Sequence, residues 1–350
     1  MMDGWFKKRL MAWYQGNSRD LPWRQTRNPY FIWLSEIILQ QTQVQQGLPY
    51  YLRFIAAFPT VNDLANAPED EVLKLWQGLG YYSRARNLHQ AAKSVVRDRK
   101  GVFPSTFTAL KELKGVGDYT AAAIASIAFD EPVAVVDGNV YRVLSRVFGI
   151  KTPIDSIQGK KEFAQLAQAL LATKSPGTYN QALMEFGALY CKPTQPPCDS
   201  CLFKDKCLAY ASQLVNQLPV KAKKTKVKSL YFNYLVIVDK NNNTLLKKRA
   251  AGAIWEGLYE FVLHASEDAL TLESSLEWLK KQNKVFTHFD VIKESPLYKH
   301  QLSHRTIFAR FIVLKLAKAI PQKLDPVGIA DLPNYPIARL TEKFLQEHPL

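Results

Sequence analysis

Near residue 228 the apolar pattern of this 350-residue chain changes period, and that change limits the folds open to it more than any other feature. Before it, apolar residues recur at helical spacing. Trp5, Phe6, Leu10, Trp13 and Tyr14 form one such set, and Phe31, Leu34, Ile37 and Ile38, continuing to Gln41, form the next. Pro68 opens a helical segment over 68–77 as a first-turn proline and Gly78 closes it. Further helices are expected over 121–129, 163–172 and 179–190, and no strand alternation precedes residue 228. After it, 230–238 alternates aromatic and aliphatic residues, 239–243 supplies a turn, and 244–248 resumes as a second strand. Another β-rich run covers 306–316, with helices expected over 272–281 and 337–347. Between the two patterns, Pro219 and the lysines Lys221, Lys223, Lys224, Lys226 and Lys228 mark a solvated tether. The expected architecture is therefore an all-helical domain over 1–211, a linker over 212–228 and a mixed α/β domain over 229–350, without internal repeats.

The formal net charge is +15. Such an excess favours a polyanionic partner, because each neutralised phosphate releases counterions, although basic proteins that never meet DNA are common. No apolar run approaches membrane-span length, and Met1-Met2-Asp3-Gly4-Trp5 lacks the basic and apolar regions of a secretory signal. A cytoplasmic, monomeric protein without membrane contact is expected.

Three groups of residues carry chemistry. All four cysteines fall in one stretch, Cys191-x6-Cys198-x2-Cys201-x5-Cys207, which argues for one metal site rather than scattered disulfides. Four thiolates can hold a tetrahedral zinc or a [4Fe–4S] cube, and spacing alone leaves both open. In Leu113-Lys114-Gly115-Val116-Gly117-Asp118-Tyr119-Thr120, two glycines permit a tight turn between helices. The free N–H groups at the next helix start can hold a phosphate without reading sequence. Finally, Glu36 sits in the apolar run Ile32-Trp33-Leu34-Ser35-Glu36-Ile37-Ile38-Leu39, and Asp137 ends another apolar run before a helix. Glu36 is either structurally partnered or an acid with a raised pKa, and Asp137 is by default a helix N-cap.

Trp33-Leu34-Ser35-Glu36, Leu39-Gln40-Gln41-Thr42-Gln43-Val44, Gly78-Leu79-Gly80-Tyr81-Tyr82-Ser83-Arg84-Ala85-Arg86 and Asp137-Gly138-Asn139-Val140 occur in this order, together with the glycine hairpin and the cysteine loop. With these motifs the chain resembles the A/G-specific adenine DNA glycosylases of the endonuclease III, or helix-hairpin-helix, superfamily. The resemblance spans nearly the whole chain and is strongest over 20–210. It implies two helical lobes with a cleft, an iron–sulfur rather than a zinc site, and a C-terminal domain similar to the Nudix fold. The implied partner is double-stranded DNA carrying adenine opposite 8-oxoguanine or guanine.

The resemblance also implies roles. Glu36 would be the general acid toward adenine N7 and then help to activate water. Asp137 would stabilise the sugar cation, as an ion or by transient covalent capture, with Asn139 and Tyr119 positioning both. Gln41 and Tyr81 would enter the duplex, with Leu39, Gln40 and Thr42 nearby, and Gly115, Val116 and Gly117 would hold phosphate. Trp23, Arg24 and Gln181 would line the adenine pocket. The family's Phe-Ser-His turn, which contacts 8-oxoguanine, is matched here by Leu302, Ser303 and His304, so a leucine stands in place of the aromatic ring. The segment Gly252–Phe261 is similar to a Nudix core, without the clustered carboxylates of a metal-dependent hydrolase. Two other readings remain at this point. A bifunctional glycosylase/lyase would need an amine where Tyr119 stands. A non-catalytic iron–sulfur DNA-binding protein would leave Glu36 and Asp137 unexplained.

Overall fold

The computed structural model describes residues 3–222 and 228–350. Of the tether lysines, Lys223, Lys224 and Lys226 lie outside the described residues. The chain divides into two compact units: Met1–Asn66 with Asn87–Lys223, and Ala67–Arg86 with Lys224–Leu350.

The described residues before 223 fold as helices: α1 (Asp3–Asn17), α2 (Pro29–Leu39), α3 (Val44–Ala57), α4 (Val61–Asn66), α5 (Glu69–Leu75), α6 (Ser83–Arg99), α7 (Phe107–Leu110), α8 (Asp118–Phe129), α9 (Gly138–Val147), α10 (Ile157–Leu170), α11 (Pro176–Leu189) and α12 (Leu208–Ala211). Local chemistry sets their ends. Asn28 caps α2 by accepting from the Tyr30 N–H at 3.0 Å, with Pro29 in the first turn. The spacing had carried that helix to Gln41. The structure ends it at Leu39, and Gln41 adopts a left-handed backbone (φ +57°) that no helix accommodates. Pro68 is the N-cap of α5 rather than its first residue. In the first unit, Phe6, Leu10, Val143, Leu144, Phe163, Leu183 and Phe186 build a core shared by α1, α9, α10 and α11.

The C-terminal part is a mixed sheet with apolar clusters on both faces. Its strands and helices are β1 (Lys228–Val238), β2 (Asn243–Thr244), β3 (Lys247–Lys248), β4 (Tyr259–Glu260), β5 (Val262–Ser266), α13 (Leu272–Gln282), β6 (Asp290–Glu294), β7 (Tyr298–Gln301), β8 (Arg305–Lys315), β9 (Val327–Gly328) and α14 (Arg339–Glu347). The main sheet runs β5-β1-β8-β6, with β7 also pairing β8; β1 and β8 are parallel and in register from Lys228↔Arg305 to Val238↔Lys315. Alternation sorts the side chains. Phe232, Tyr234, Val236, Ile307, Ala309 and Phe311 meet Leu340 and Phe344 of α14, whereas Leu235, Ile237, Ile312 and Leu314 meet Leu279 of α13. The single strand expected over 244–248 is split: β2 pairs with β9 and β3 with β4, because the chain leaves one partner for another between Thr244 and Lys247.

Candidate active site

Glu36 lies on α2, where Tyr30 and the run from Ile32 to Ile38 are buried. A helix apolar on every side offers a carboxylate no solvated face. Glu36 instead borders a cleft of about 920 Å³ that also receives Tyr119 from α8, Asp137 and Asn139 from the start of α9, and Gln181 and Glu185 from α11. Tyr119 Oη donates to Glu36 Oε2 at 2.5 Å. Burial outweighs that hydrogen bond and the attraction of Arg24, the charge of Asp137 acts with burial, and the Glu36 carboxyl is pushed up to about 7. Burial and the adjoining Glu36 push the Tyr119 phenol well above its usual range, so it remains a donor.

Asp137 is indeed the N-cap of α9. Its Oδ1 accepts from the Val140 N–H at 2.7 Å and its Oδ2 from Asn139 Nδ2 at 2.7 Å. Burial raises its pKa, and these hydrogen bonds oppose the rise. Asn139 is held in turn by Arg142, whose Nη2 donates to Asn139 Oδ1 at 2.8 Å and to the Gly187 carbonyl at 2.6 Å, while its Nε donates to the Cys191 carbonyl at 2.7 Å. Gly187 is glycine for a steric reason: a Cβ there would stand 2.6 Å from Asn139 Cβ and 3.0 Å from its carbonyl oxygen.

The cleft is also bordered by another buried carboxylate. Glu185 accepts from Arg19 Nε and Nη2 at 2.8 and 2.6 Å and from Arg24 Nη1 and Nη2 at 2.9 and 2.7 Å. Burial would raise its pKa, but the two guanidiniums hold it at about 2. Tyr14 Oη donates to Gln181 Oε1 at 3.2 Å, and buried Trp23 packs edge-on against Tyr51.

Of the residues singled out in sequence, Glu36, Tyr119, Asp137, Asn139, Trp23, Arg24, Gln181, Leu39, Gln41 and Thr42 all border this cleft. Gln40 is not among its lining; its Nε2 donates to Thr120 Oγ1 at 3.1 Å. Arg19, Arg142 and Glu185 were not singled out. Glu185 carries the signal that marked Glu36, an acid amid apolar residues in Leu183-Met184-Glu185-Phe186.

At the hairpin, Gly115 has φ +78° and its missing Cβ would lie 2.8 Å from Asn87 Cβ. Gly117 caps α8 without any side-chain hydrogen bond, which leaves the first N–H groups of that helix for an external acceptor. Val116 between them is buried.

In the second unit Tyr81 is 52% exposed, unusual for so large a ring, and also left-handed (φ +49°). Its Oη lies 2.7 Å from Ser303 Oγ, so the residue expected to wedge the helix touches one expected to read the opposite base. Ser303 and His304 are exposed at the tip of the β7–β8 hairpin, while Leu302 packs half-buried against the sheet core.

The four cysteines surround a cavity whose other lining includes Phe186, Tyr190, Phe203, Pro196 and Pro197. Arg146 Nη1 stands 3.5 Å from Cys191 Sγ, and the Phe203 N–H donates to Cys201 Sγ at 3.4 Å. Thiols with an N–H donor, a guanidinium and an otherwise apolar wall suit an anionic sulfur-ligated group.

Two family models match. Residues 34–171 match the HhH-GPD superfamily of base excision DNA repair proteins, and residues 233–347 match the NUDIX domain. The chain is 34% identical to the adenine DNA glycosylase of Buchnera aphidicola subsp. Baizongia pistaciae over 304 residues, 87% of this chain and 84% of that one. The chain belongs to the adenine DNA glycosylase family. The adenine DNA glycosylase of Rattus norvegicus is 46% identical over 214 residues, 59% of this chain and 42% of that one. Among solved structures, a thermostable thymine-DNA glycosylase superposes with a TM-score of 0.55 at 32% identity, covering 59% of this chain and 95% of that one. In this adenine DNA glycosylase, Glu36, Tyr119, Asp137 and Asn139 fall within the stretch that matches the HhH-GPD superfamily, and the main sheet falls within or beside the NUDIX match. Among the described residues no helix is long and apolar enough to cross a membrane.

Proposed function

We propose that this adenine DNA glycosylase acts in the cytoplasm as a monomer on double-stranded DNA, hydrolysing the N-glycosidic bond of adenine opposite 8-oxoguanine or guanine and leaving an abasic site. The observation that carries this reading is the pair Glu36 and Asp137 on one cleft, the first held near 7 by burial and the second capped by Asn139 and the Val140 N–H. A carboxyl poised near neutrality can protonate N7 of an extruded adenine, which weakens the bond to C1′. As that bond breaks, the electron pair leaves with the base and the sugar gains oxocarbenium character. Ionised Asp137 offsets that charge as an ion pair or by transient covalent capture. Glu36, now deprotonated, takes a proton from the water that adds to C1′. Tyr119 and Asn139 hold the two carboxyls in place.

Trp23, Arg24 and Gln181 receive the base, with Glu185 fixing Arg24. Gln41 and Tyr81, both exposed and left-handed, enter the space it vacates, and the N–H groups after Gly115, Val116 and Gly117 hold backbone phosphate. Ser303 and His304 offer hydrogen-bonding groups to the opposite base. Because Leu302 packs against the core, recognition leans on these two rather than on an apolar wedge.

Cys191, Cys198, Cys201 and Cys207 would hold a [4Fe–4S] cluster. The four thiols ring one cavity, with the Arg146 guanidinium beside Cys191, and this supports an anionic sulfur-ligated group there. When bound, the cluster supplies a covalent tie across the loop.

The test is single-turnover excision on duplexes carrying adenine opposite 8-oxoguanine or guanine, with borohydride trapping in parallel. Strand breakage only after alkali, and little trapped protein, are expected. Breakage without alkali, with trapping lost on Lys192→Ala at the exposed lysine of the cleft lining, would overturn the monofunctional reading.

A further inference from the structure

An exposed tyrosine with a left-handed backbone needs something to hold it. A bulky residue at positive φ is an outlier, and such outliers persist only where the surroundings over-determine them. Around Tyr81 the turn is left-handed at Gly78 (φ +96°) and Gly80 (φ +74°) as well. One side chain touches nearly every part of it. Arg84, only 9% exposed, directs Nη2 to the carbonyls of Gly80 and Leu79 at 3.3 and 3.5 Å, and its guanidinium lies 5.6 Å from the Tyr81 ring centroid and 5.1 Å from that of Trp76. Trp76 Nε1 donates to the same Gly80 carbonyl at 3.0 Å, and the Arg84 N–H closes the turn on the Tyr81 carbonyl at 2.8 Å. The far end of the Tyr81 ring is tied to Ser303. We propose that Arg84 is a positioning residue: its buried guanidinium fastens the Gly78–Tyr81 turn and holds the Tyr81 ring outward before DNA arrives, so that Arg84 governs lesion affinity and opposite-base preference without entering the chemical step.

What the turn requires of Arg84 is its planar face more than its charge: the one Nη2 reaches both carbonyls, which an ammonium could also do, but an ammonium has no extended face to set against the Trp76 and Tyr81 rings. Burial lowers the Arg84 pKa to about 10, which leaves the charge in place at neutral pH. The inference rests on reading Tyr81 as the residue that enters the duplex.

The experiment is a double-mutant cycle on the full chain with Arg84→Lys and Tyr81→Ala. Dissociation constants at fixed salt and single-turnover rates at saturating enzyme are measured on both duplexes. Each single variant should weaken binding to the adenine·8-oxoguanine duplex about tenfold, as expected for one aromatic–base stack, and Arg84→Lys should leave the saturating rate unchanged within about twofold. In the Tyr81→Ala background, Arg84→Lys should add less than about twofold. Gly80→Ala, which strains the same turn without crowding any neighbour, should reproduce the Arg84→Lys effect and covers the case in which Arg84→Lys folds poorly. Independent, multiplying effects, or an Arg84→Lys protein with full affinity beside a defective Tyr81→Ala, overturn the positioning role. A Tyr81→Ala protein with full affinity overturns the reading of Tyr81 itself.

Discussion

Two places on the cleft carry the same side chain at nearly the same depth, and the same chemistry is driven in opposite directions. Glu36 is 7% exposed and Glu185 1%. At Glu36 the hydrogen-bond partner is a neutral phenol, and the nearby charges are Asp137, which pushes up, and Arg24, which pulls down without bonding it; at Glu185 two guanidiniums supply four N–H donors. One acid is pushed up to about 7 and the other held at about 2. Burial alone therefore does not make a proton donor. It makes a carboxyl responsive, and the charge of its partners decides whether it gives up protons near neutrality or never holds them.

The largest effect that sharpens this contrast is Glu36→Gln. It keeps the shape, removes the transferable proton, and should slow adenine excision by about 10²–10⁴-fold while duplex binding survives. In the wild type the rate should fall as pH rises through about 7, where Glu36 loses its proton. An alkaline limb unchanged in position after Glu36→Gln would assign that limb to another group. Next comes the clamp. Glu185→Ala leaves Arg19 and Arg24 facing each other without a counter-charge and should destabilise the fold by about 3 kcal/mol in urea melts, the low end for a buried pair because Arg19 is partly exposed. Because its folded pKa is depressed, Glu185 stabilises the protein above the unfolded value near 4.5, and that contribution fades as pH falls toward about 2.

Glu36 has the opposite linkage. Its folded pKa is raised, so its burial costs nothing below about 4.5 and the full penalty above about 7. Glu36→Gln should therefore stabilise the protein by ~1–3 kcal/mol at pH 8 and leave it unchanged at pH 4. Equal melting shifts at both pH values would break the comparison. The smallest expected effect is steric. Gly187→Ala drives a methyl against the Asn139 Cβ and backbone and should slow excision about tenfold by displacing the Asp137 cap, with a destabilisation of about 1–3 kcal/mol in melts.

Glu36 was legible in sequence because an acid inside a continuous apolar run has few places to go, and the cysteine cluster because its four members are close together along the chain. Glu185 bore the same mark, yet its arginine partners lie 161 and 166 positions away along the chain, a separation that periodicity does not bridge. Arg142 on α9 was not singled out, because the Gly187 and Cys191 carbonyls that it bonds lie 45 and 49 positions along the chain. The sheet was read from its long alternating strands, β1 and β8. The short pairs β2–β9 and β3–β4 were not, since two residues carry no period. Leu302, half-buried against the sheet core, kept part of its surface open, and its packing could not be read from the turn's sequence.

The grouping of Ala67–Arg86 with the C-terminal unit bears on how this protein can be taken apart. Asp70 accepts from Tyr259 Oη at 2.9 Å and pairs with Lys248 at 2.5 Å, Gln77 bonds Glu342 and the Ile337 N–H, and Arg86 bonds Glu256. These are links between residues far apart in order but inseparable in the fold, so a stop codon near residue 228 is not a clean subtraction. It would strip a stretch of the early chain, Tyr81 included, of the scaffold that shapes it. A shortened protein that discriminates poorly would then report on two losses at once.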